Sequence, residues 1–428
     1  MIVVLAGATV FAEEKKPWTF MVYMEANNDL DIFAPKNIDQ MKSVGSNHNI
    51  NIVTHMHTKE NKGNKRKTIF IKEKESILLE EKTDPIKNFD HEKDLVEFCT
   101  KTIQKYPAEY YALIFWDHGT GTLDPSTRFY LPASQLFSLS HSEEIGKSAL
   151  YAPSIRLIQR KLQKMKGVCF DDKTGNFLTE QKMRNALKTI TQQALHGKKL
   201  NLIGFDACLM SMVEVAAALK DHADIMVGSQ EVELGTGWNY ARVLAPFVFG
   251  TISPKTFGVH IVQAYAKTYA SIMDYTQSAT DLNAISEIES NISKVAQHIL
   301  KIIKQHKEIA LQKILKVSRS KHFCTHFDEP SFVDLHHLYE NILTNINESS
   351  HEIEKSNTLV ANLKNLLHDG CALIKKAILA NKTGPKHTKA QGLSVYFPEH
   401  GIHSSYRKNR FAVDNESWLE LLHYYHSC

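Results

Sequence analysis

Two short runs constrain this chain more than any others. Phe115-Trp116-Asp117-His118-Gly119-Thr120-Gly121 follows the apolar stretch Tyr110-Tyr111-Ala112-Leu113-Ile114, and Phe205-Asp206-Ala207-Cys208 follows Leu202-Ile203-Gly204. Continuous apolar runs of this kind read as strands of a parallel sheet, covered on both faces. Reactive side chains gather in the loops at the carboxyl ends of such strands. A histidine and a cysteine at two neighbouring strand ends supply a base and a nucleophile that can meet above the sheet.

The rest of the chain supports a sheet of that type. Thr19–Met24, Asn51–Met56, Lys67–Ile71, Tyr110–Trp116, Leu200–Phe205 and Asp224–Gly228 read as strands. His91–Tyr106 and Leu209–Leu219 read as helices between them, and this alternation predicts an α/β fold with helices on both faces. From Ser253-Pro254 onward the pattern turns mainly helical; Ile285, Ile288, Ile292, Val295, Ile299 and Ile302 keep the three-four spacing of an amphipathic helix. Gln391–Pro398 reads as one more strand. The organisation expected is a leader at 1–12, a catalytic region at 16–250, and a mainly helical region at 251–428 packing on it.

The leader reading rests on Ile2–Ala12, an apolar run ending in the small-residue spacing Val10-Phe11-Ala12 of a signal-peptidase site. It lacks a positive n-region, so it reads as the remnant of a signal peptide and predicts a secreted, periplasmic or surface protein. No run reaches the roughly 18 apolar residues of a membrane span. Net charge is +4 with 23% charged residues, and no basic stripe is interleaved with aromatics, so nucleic acid is not an expected partner. The six cysteines are scattered with no Cys-x-x-Cys pair; they form no disulfide framework, which leaves one of them available as a working thiol.

Cys208 stands at an expected strand-to-helix junction, where helix N-terminal N–H groups would lower a thiol pKa and could donate to an oxyanion. His118 supplies a base of suitable pKa, and Gly119 N–H could complete the oxyanion hole with that of Cys208. Asp117 reads as a loop-holding residue. Asp206, two residues before Cys208, would share its side of the strand; it is either a cap or salt bridge, or a buried anion selecting a cationic substrate side chain. His55-x-His57 places two imidazoles on one strand face, but no third metal ligand is evident in sequence, so no metal site is assigned. Phe170–Asn176 is acidic and turn-rich but lacks the twelfth-position Glu of a calcium loop, and reads as a turn before a helix.

In these runs, together with Trp18–Asp29, Asp206–Met210, Glu233–Tyr240, Val333–Leu335 and Gly392–Pro398, the chain resembles the clostripain family of cysteine peptidases, within the caspase, legumain and gingipain clan. That resemblance implies a caspase-like α/β/α sandwich with a mostly parallel central sheet, polypeptide substrates, and a His118–Cys208 dyad. It implies that Asp206 lines a pocket for Arg or Lys. Members can place a second acid just after the Val227 strand, where this chain has Ser229-Gln230-Glu231; Gln230 would weaken cation selection, with Glu231 or Glu233 compensating. Some members require calcium, although the chemistry itself requires no cofactor, and some cut themselves between the His and the Cys. Lys147, Lys164 and Lys166, in the irregular stretch Thr122–Lys166, are the candidate self-cleavage sites. Two rivals stand beside this reading: a catalytically silent binding or surface module, and a metal hydrolase using His55, His57 and His118.

Overall fold

Lys16–Ala26 (β1) is buried almost throughout, with Trp18, Phe20, Val22 and Met24 packed on one side and Met21 and Tyr23 on the other. Alternate residues of a strand face opposite sides, so this run demands cover on both faces. The computed structural model describes residues 15–58, 64–84, 89–124, 168–306, 309–348 and 358–427. Its strands are β1, Ile50–Thr58 (β2), Asn64–Ile71 (β3), Ser76–Asp84 (β4), Ala108–Trp116 (β5), Leu202–Asp206 (β6), Ile225–Gly228 (β7), Thr276–Asp281 (β8), Phe332–Asp334 (β9), Ile378–Thr383 (β10) and Ser394–Tyr396 (β11).

Nine of them form one sheet in the order β10-β8-β7-β6-β5-β1-β2-β3-β4. The five in the middle, β7-β6-β5-β1-β2, run parallel, and antiparallel strands extend the sheet at both ends. β9 and β11 pair separately. The α/β fold with a mostly parallel central sheet is therefore as expected. The stretch from 251 is mainly helical, yet two of its strands, β8 and β10, belong to the same sheet.

The helices that cover the sheet include Ala34–Lys42 (α1), His91–Lys105 (α2), Glu180–Thr189 (α3), Val213–Leu219 (α4), Pro254–Thr268 (α5) and Ile285–His306 (α6). Ile38 and Met41 of α1 join Phe257, Ile261 and Tyr265 of α5 in the core on one face. Leu95 and Phe98 of α2, Met183 and Leu187 of α3, Val213 and Ala217 of α4, and the Ile288–Ile302 stripe of α6 form the larger core on the other.

Strand register carries three strand ends to one level. Met24 of β1 pairs with Trp116 of β5, and Trp116 pairs with Asp206 of β6. The chain thus leaves the sheet side by side at Asn27–Asp29, at Asp117-His118 and at Ala207-Cys208, which is the carboxyl edge where a ligand crevice forms.

One local expectation fails here. The helix after Cys208 begins at Val213, not at Leu209. Leu209 is left-handed at φ +62°, a conformation that an α-helix of L-residues does not admit. Residues 209–212 instead run along neighbouring chain: Leu209 N–H donates to Glu231 O at 3.2 Å and Ser211 N–H to Ser229 O at 2.8 Å, while Met212 bridges to Ser394. Cys208 therefore does not sit on a helix N-terminus.

Glu214, buried in the first turn of α4, ties this region to the C-terminal segment. One carboxyl oxygen accepts from Tyr396 N–H at 2.8 Å and from the Tyr406 hydroxyl at 3.0 Å. Burial raises its pKa from 4.5 to about 7, so the folded chain holds a proton that the unfolded chain has lost, and this group subtracts stability as pH rises from about 4.5 to 7. Glu214→Gln keeps the accepting oxygen and removes the ionisation. Its stability relative to wild type, from urea unfolding, should improve by roughly 3 kcal/mol between pH 5 and pH 8; a gap that does not change with pH would contradict the assignment.

Candidate active site

The turn after β1 is built to present one carboxylate. Asn28 Oδ1 accepts from Leu30 N–H at 2.9 Å, and Asn28 Nδ2 donates to Asp117 Oδ1 at 2.6 Å and to Phe170 O at 3.0 Å. Asp117 also accepts from Phe170 N–H, so it staples the β1 turn and the 170–176 turn to the end of β5, the loop-holding part expected of it. With the turn fixed, Asp29 Oδ1 lies 2.7 Å from His118 Nε2.

The electrostatics of that pair are set by competing effects. Burial pushes the His118 pKa down, but the Asp29 charge and hydrogen bond, with Asp117 and Asp172 behind them, outweigh it and bring the imidazole to about 9. At neutral pH His118 is an imidazolium.

Gly119 explains the residue type that follows the histidine. A Cβ on it would stand 2.3 Å from Cys208 O, 2.9 Å from Cys208 N and 3.0 Å from the Ala207 methyl. The two loops touch through backbone, and only glycine allows it. Gly121 repeats the argument: its φ is +64°, and a Cβ would meet Met212 Sδ at 2.4 Å and the Phe332 ring at 2.7 Å.

Cys208 is partly buried, with Sγ 3.9 Å from Glu233 O. Burial drives its thiol pKa well up, and the charges of Glu233, Glu231 and Asp328 add to that, against the Glu233 backbone contact. The helix effect expected to depress the pKa is absent because α4 starts five residues later. The resting site therefore holds a neutral thiol on one loop and a charged imidazole on the loop that touches it.

Asp206 lies beneath this. Its Oδ1 accepts from Trp238 N–H at 2.9 Å and its Oδ2 from the Tyr240 hydroxyl at 2.8 Å, and Gly237, at φ +60°, brings the backbone against it. Glu233 is the second acid here. Burial raises both carboxyls, Asp206 to about 7, and the Asp206 charge raises Glu233 further. Two carboxyls this close share a proton at neutral pH. Gln277, which interacts with the Glu233 carboxyl, and Tyr265 are buried around them.

Gln230 and Glu231, expected in the same pocket, are engaged elsewhere. Gln230 donates to Asp334 Oδ2 at 2.9 Å and accepts from Gly392 N–H at 2.9 Å. Glu231 accepts from Val232 and Asp328 N–H and pairs with His387 Nε2 at 3.3 Å. Both side chains lock the C-terminal segment onto the loop after β7, because residues 229–231 run along Leu209–Ser211 and direct them past Asp206. The carboxyl that reaches Asp206 is Glu233.

The 170–176 segment is a turn, as expected. Asp171 Oδ1 already accepts from Asn27 Nδ2 and from the N–H groups of Lys173 and Thr174, which leaves it a turn-forming group. Lys147, Lys164, Lys166 and the 1–12 leader lie outside the described residues. Among the described residues no helix is long and apolar enough to cross a membrane. Sequence reasoning missed Asp29; the available signal was the polar turn Asn27-Asn28-Asp29 closing an apolar strand.

The fold has counterparts among known proteins. The chain is similar in fold to a secreted C11 cysteine protease from Bacteroides thetaiotaomicron in complex with an irreversible peptide inhibitor, at 18% identity and TM-score 0.61 over 96% of this chain and 99% of that one. It is similarly related to an inactive zymogen C11 protease from Parabacteroides distasonis, at 16% identity and TM-score 0.59 over 94% and 99%. Curated protein sequences yield no match. The model of the clostripain family matches residues 22–138 and 154–423. With that match across both candidate loops, this chain belongs to the clostripain family and is a cysteine-type peptidase.

Proposed function

We propose that the protein is a secreted endopeptidase that cleaves after Arg or Lys, with Cys208 as nucleophile and His118 as its acid–base partner. The observation that carries this is the backbone contact of Gly119 with Cys208, which sets the His118 loop directly against the thiol loop. Secretion is supported by the leader-like run at 1–12 and by the secreted B. thetaiotaomicron neighbour.

The resting pair, a thiol and an imidazolium, carries one proton too many for attack. Loss of that proton leaves a thiolate–imidazolium pair or its neutral equivalent. The sulfur then bonds to the scissile carbonyl carbon, the carbonyl electron pair moves to oxygen, and the N–H groups of Gly119 and Cys208 receive it. As the C–N bond breaks, His118 gives its proton to the leaving amine, and water cleaves the resulting thioester. Asp29 holds the imidazole by Nε2, which leaves Nδ1 for these transfers.

Asp206 and Glu233 supply the specificity. A guanidinium or ammonium entering between them replaces their shared proton as the balancing charge, and the Gln277 amide lies beside it. A desolvated ion pair of this kind contributes about 2–5 kcal/mol. Asp206→Asn should therefore lower kcat/KM on Arg-ending fluorogenic peptides by roughly 30-fold or more. Equal wild-type cleavage after Ala and after Arg would overturn the pocket assignment.

Asp29 gives a second test, through pH. Its carboxylate is the largest influence raising the His118 pKa, so in Asp29→Asn the imidazole loses its proton at lower pH. The rising limb of kcat/KM against pH should move to lower pH in the variant. A limb that stays in place would show that His118 does not titrate in the rate-determining couple.

A further inference from the structure

Behind the β1 turn, on the sheet face covered by α2, lies a buried group that the peptidase chemistry does not use. Glu25 ends β1, His55 and His57 stand near the end of β2, and His91 and Asp94 open α2; all are buried. Asp94 Oδ2 accepts from the Tyr23 hydroxyl at 2.9 Å, and His55 Nε2 and His57 Nε2 lie 2.9 Å and 2.8 Å from it. Asp94 Oδ1 meets the Arg66 guanidinium.

The protons in this group can be followed one at a time. A carboxylate only accepts, so the Tyr23 proton points to Asp94, and His57 Nε2–H donates there too. The Tyr23 oxygen, 3.1 Å from His91 Nδ1, must then accept from Nδ1–H. With Nδ1 carrying the one proton of the neutral ring, His91 Nε2 presents a bare lone pair. That atom is buried without a hydrogen-bond partner. It faces Glu25 Oε2, another lone-pair atom, at 3.8 Å, and His57 Nδ1 contacts the same oxygen. Three ligand atoms thus converge, all within 4.8 Å of one another, and a metal cation at their centre would satisfy the His91 nitrogen that a proton shared between His57 and Glu25 leaves without a partner.

We infer that Glu25, His57 and His91 form a binding site for one divalent transition-metal ion of the zinc class. Two imidazoles and one carboxylate are a zinc-type donor set with a fourth position left open, and tetrahedral bonds of that kind put ligand atoms about 3.3 Å apart. Imidazole donors favour zinc, copper or nickel over calcium. The outer contacts are those that metal-binding histidines require: His57 passes its second N–H to Asp94 and His91 passes its own to Tyr23, which fixes both tautomers. Charge also agrees. Arg66 answers Asp94, and Lys182 lies 3.9 Å from Asp90, so the Glu25 charge remains for the ion.

Two neighbouring clusters lack this logic. At His55, His57 and Asp94 the carboxylate is already paired with Arg66. At Glu231, Asp274 and His387 there is one imidazole, and Lys386 sits 3.0 Å from Asp274. Of these three clusters, only that of Glu25 has a buried imidazole nitrogen that faces a carboxylate without a hydrogen-bond partner.

The test uses the full chain carrying Cys208→Ala, so that the candidate nucleophile cannot bind metal, stripped with a chelator and titrated with Co²⁺. One cobalt per chain should bind with the visible bands of a four- or five-coordinate ion; Zn²⁺ should displace it and Ca²⁺ should not. Tyr23→Phe, which removes only an outer contact, should weaken binding about 10–100-fold, and His91→Ala by more than that; His91→Gln serves if the alanine variant unfolds. Absence of stoichiometric cobalt in folded protein, or unchanged affinity in a folded His91 variant, would overturn the site and leave the cluster an ion network held by a proton on His57.

Discussion

A methyl group on Gly119 would stand 2.3 Å from the carbonyl oxygen of Cys208, and most of the candidate site follows from that approach. It lets the loops after β5 and β6 meet through backbone, so the histidine that precedes Gly119 and Cys208 stand on loops in direct contact. The sheet makes this possible through register, since Met24, Trp116 and Asp206 stand in one row. The next residues along each strand leave the sheet together. A shift of one residue in the β5–β6 pairing would turn side chains to opposite faces and separate the two loops.

Burial then decides the protonation of everything nearby. The same low-polarity surroundings that raise the Cys208 thiol also raise Asp206, Glu231 and Glu214. They fail to lower His118 only because Asp29 is bonded to it. The site at rest is therefore quiet, with a protonated thiol and acids that share or keep protons. Under the proposed specificity, substrate would change those conditions by bringing a cation to Asp206 and Glu233. Charge enters a region already shaped for it, and no charge has to be created unpaired.

Much of this was legible in the residues. The apolar runs ending at Trp116 and Phe205 identify central parallel strands, and the glycines after His118 mark close backbone approach. The isoleucine stripe of α6 follows from its spacing. β8 and β10 were not legible: Thr276-Gln277-Ser278-Ala279-Thr280-Asp281 is polar yet buried, because its side chains bond to the loops after β6 and β7, and periodicity cannot see such a strand. The helix after Cys208 was placed too early because one left-handed residue, Leu209, breaks an otherwise helical pattern. Asp29, Glu233 and the approach of Glu25 and His91 to His57 depend on contacts between residues far apart in the chain, which neither spacing nor composition encodes.

The most direct measurement of the central claim is the site and rate of alkylation by an Arg-ending peptidyl chloromethyl ketone, followed by peptide mass spectrometry across all six cysteines. The account predicts fast, stoichiometric modification of Cys208, with Cys371, the other partly exposed thiol among the described residues, and the remaining cysteines left essentially unmodified. Modification spread over several cysteines, or no faster at Cys208 than at Cys371, would contradict the placement of the nucleophile.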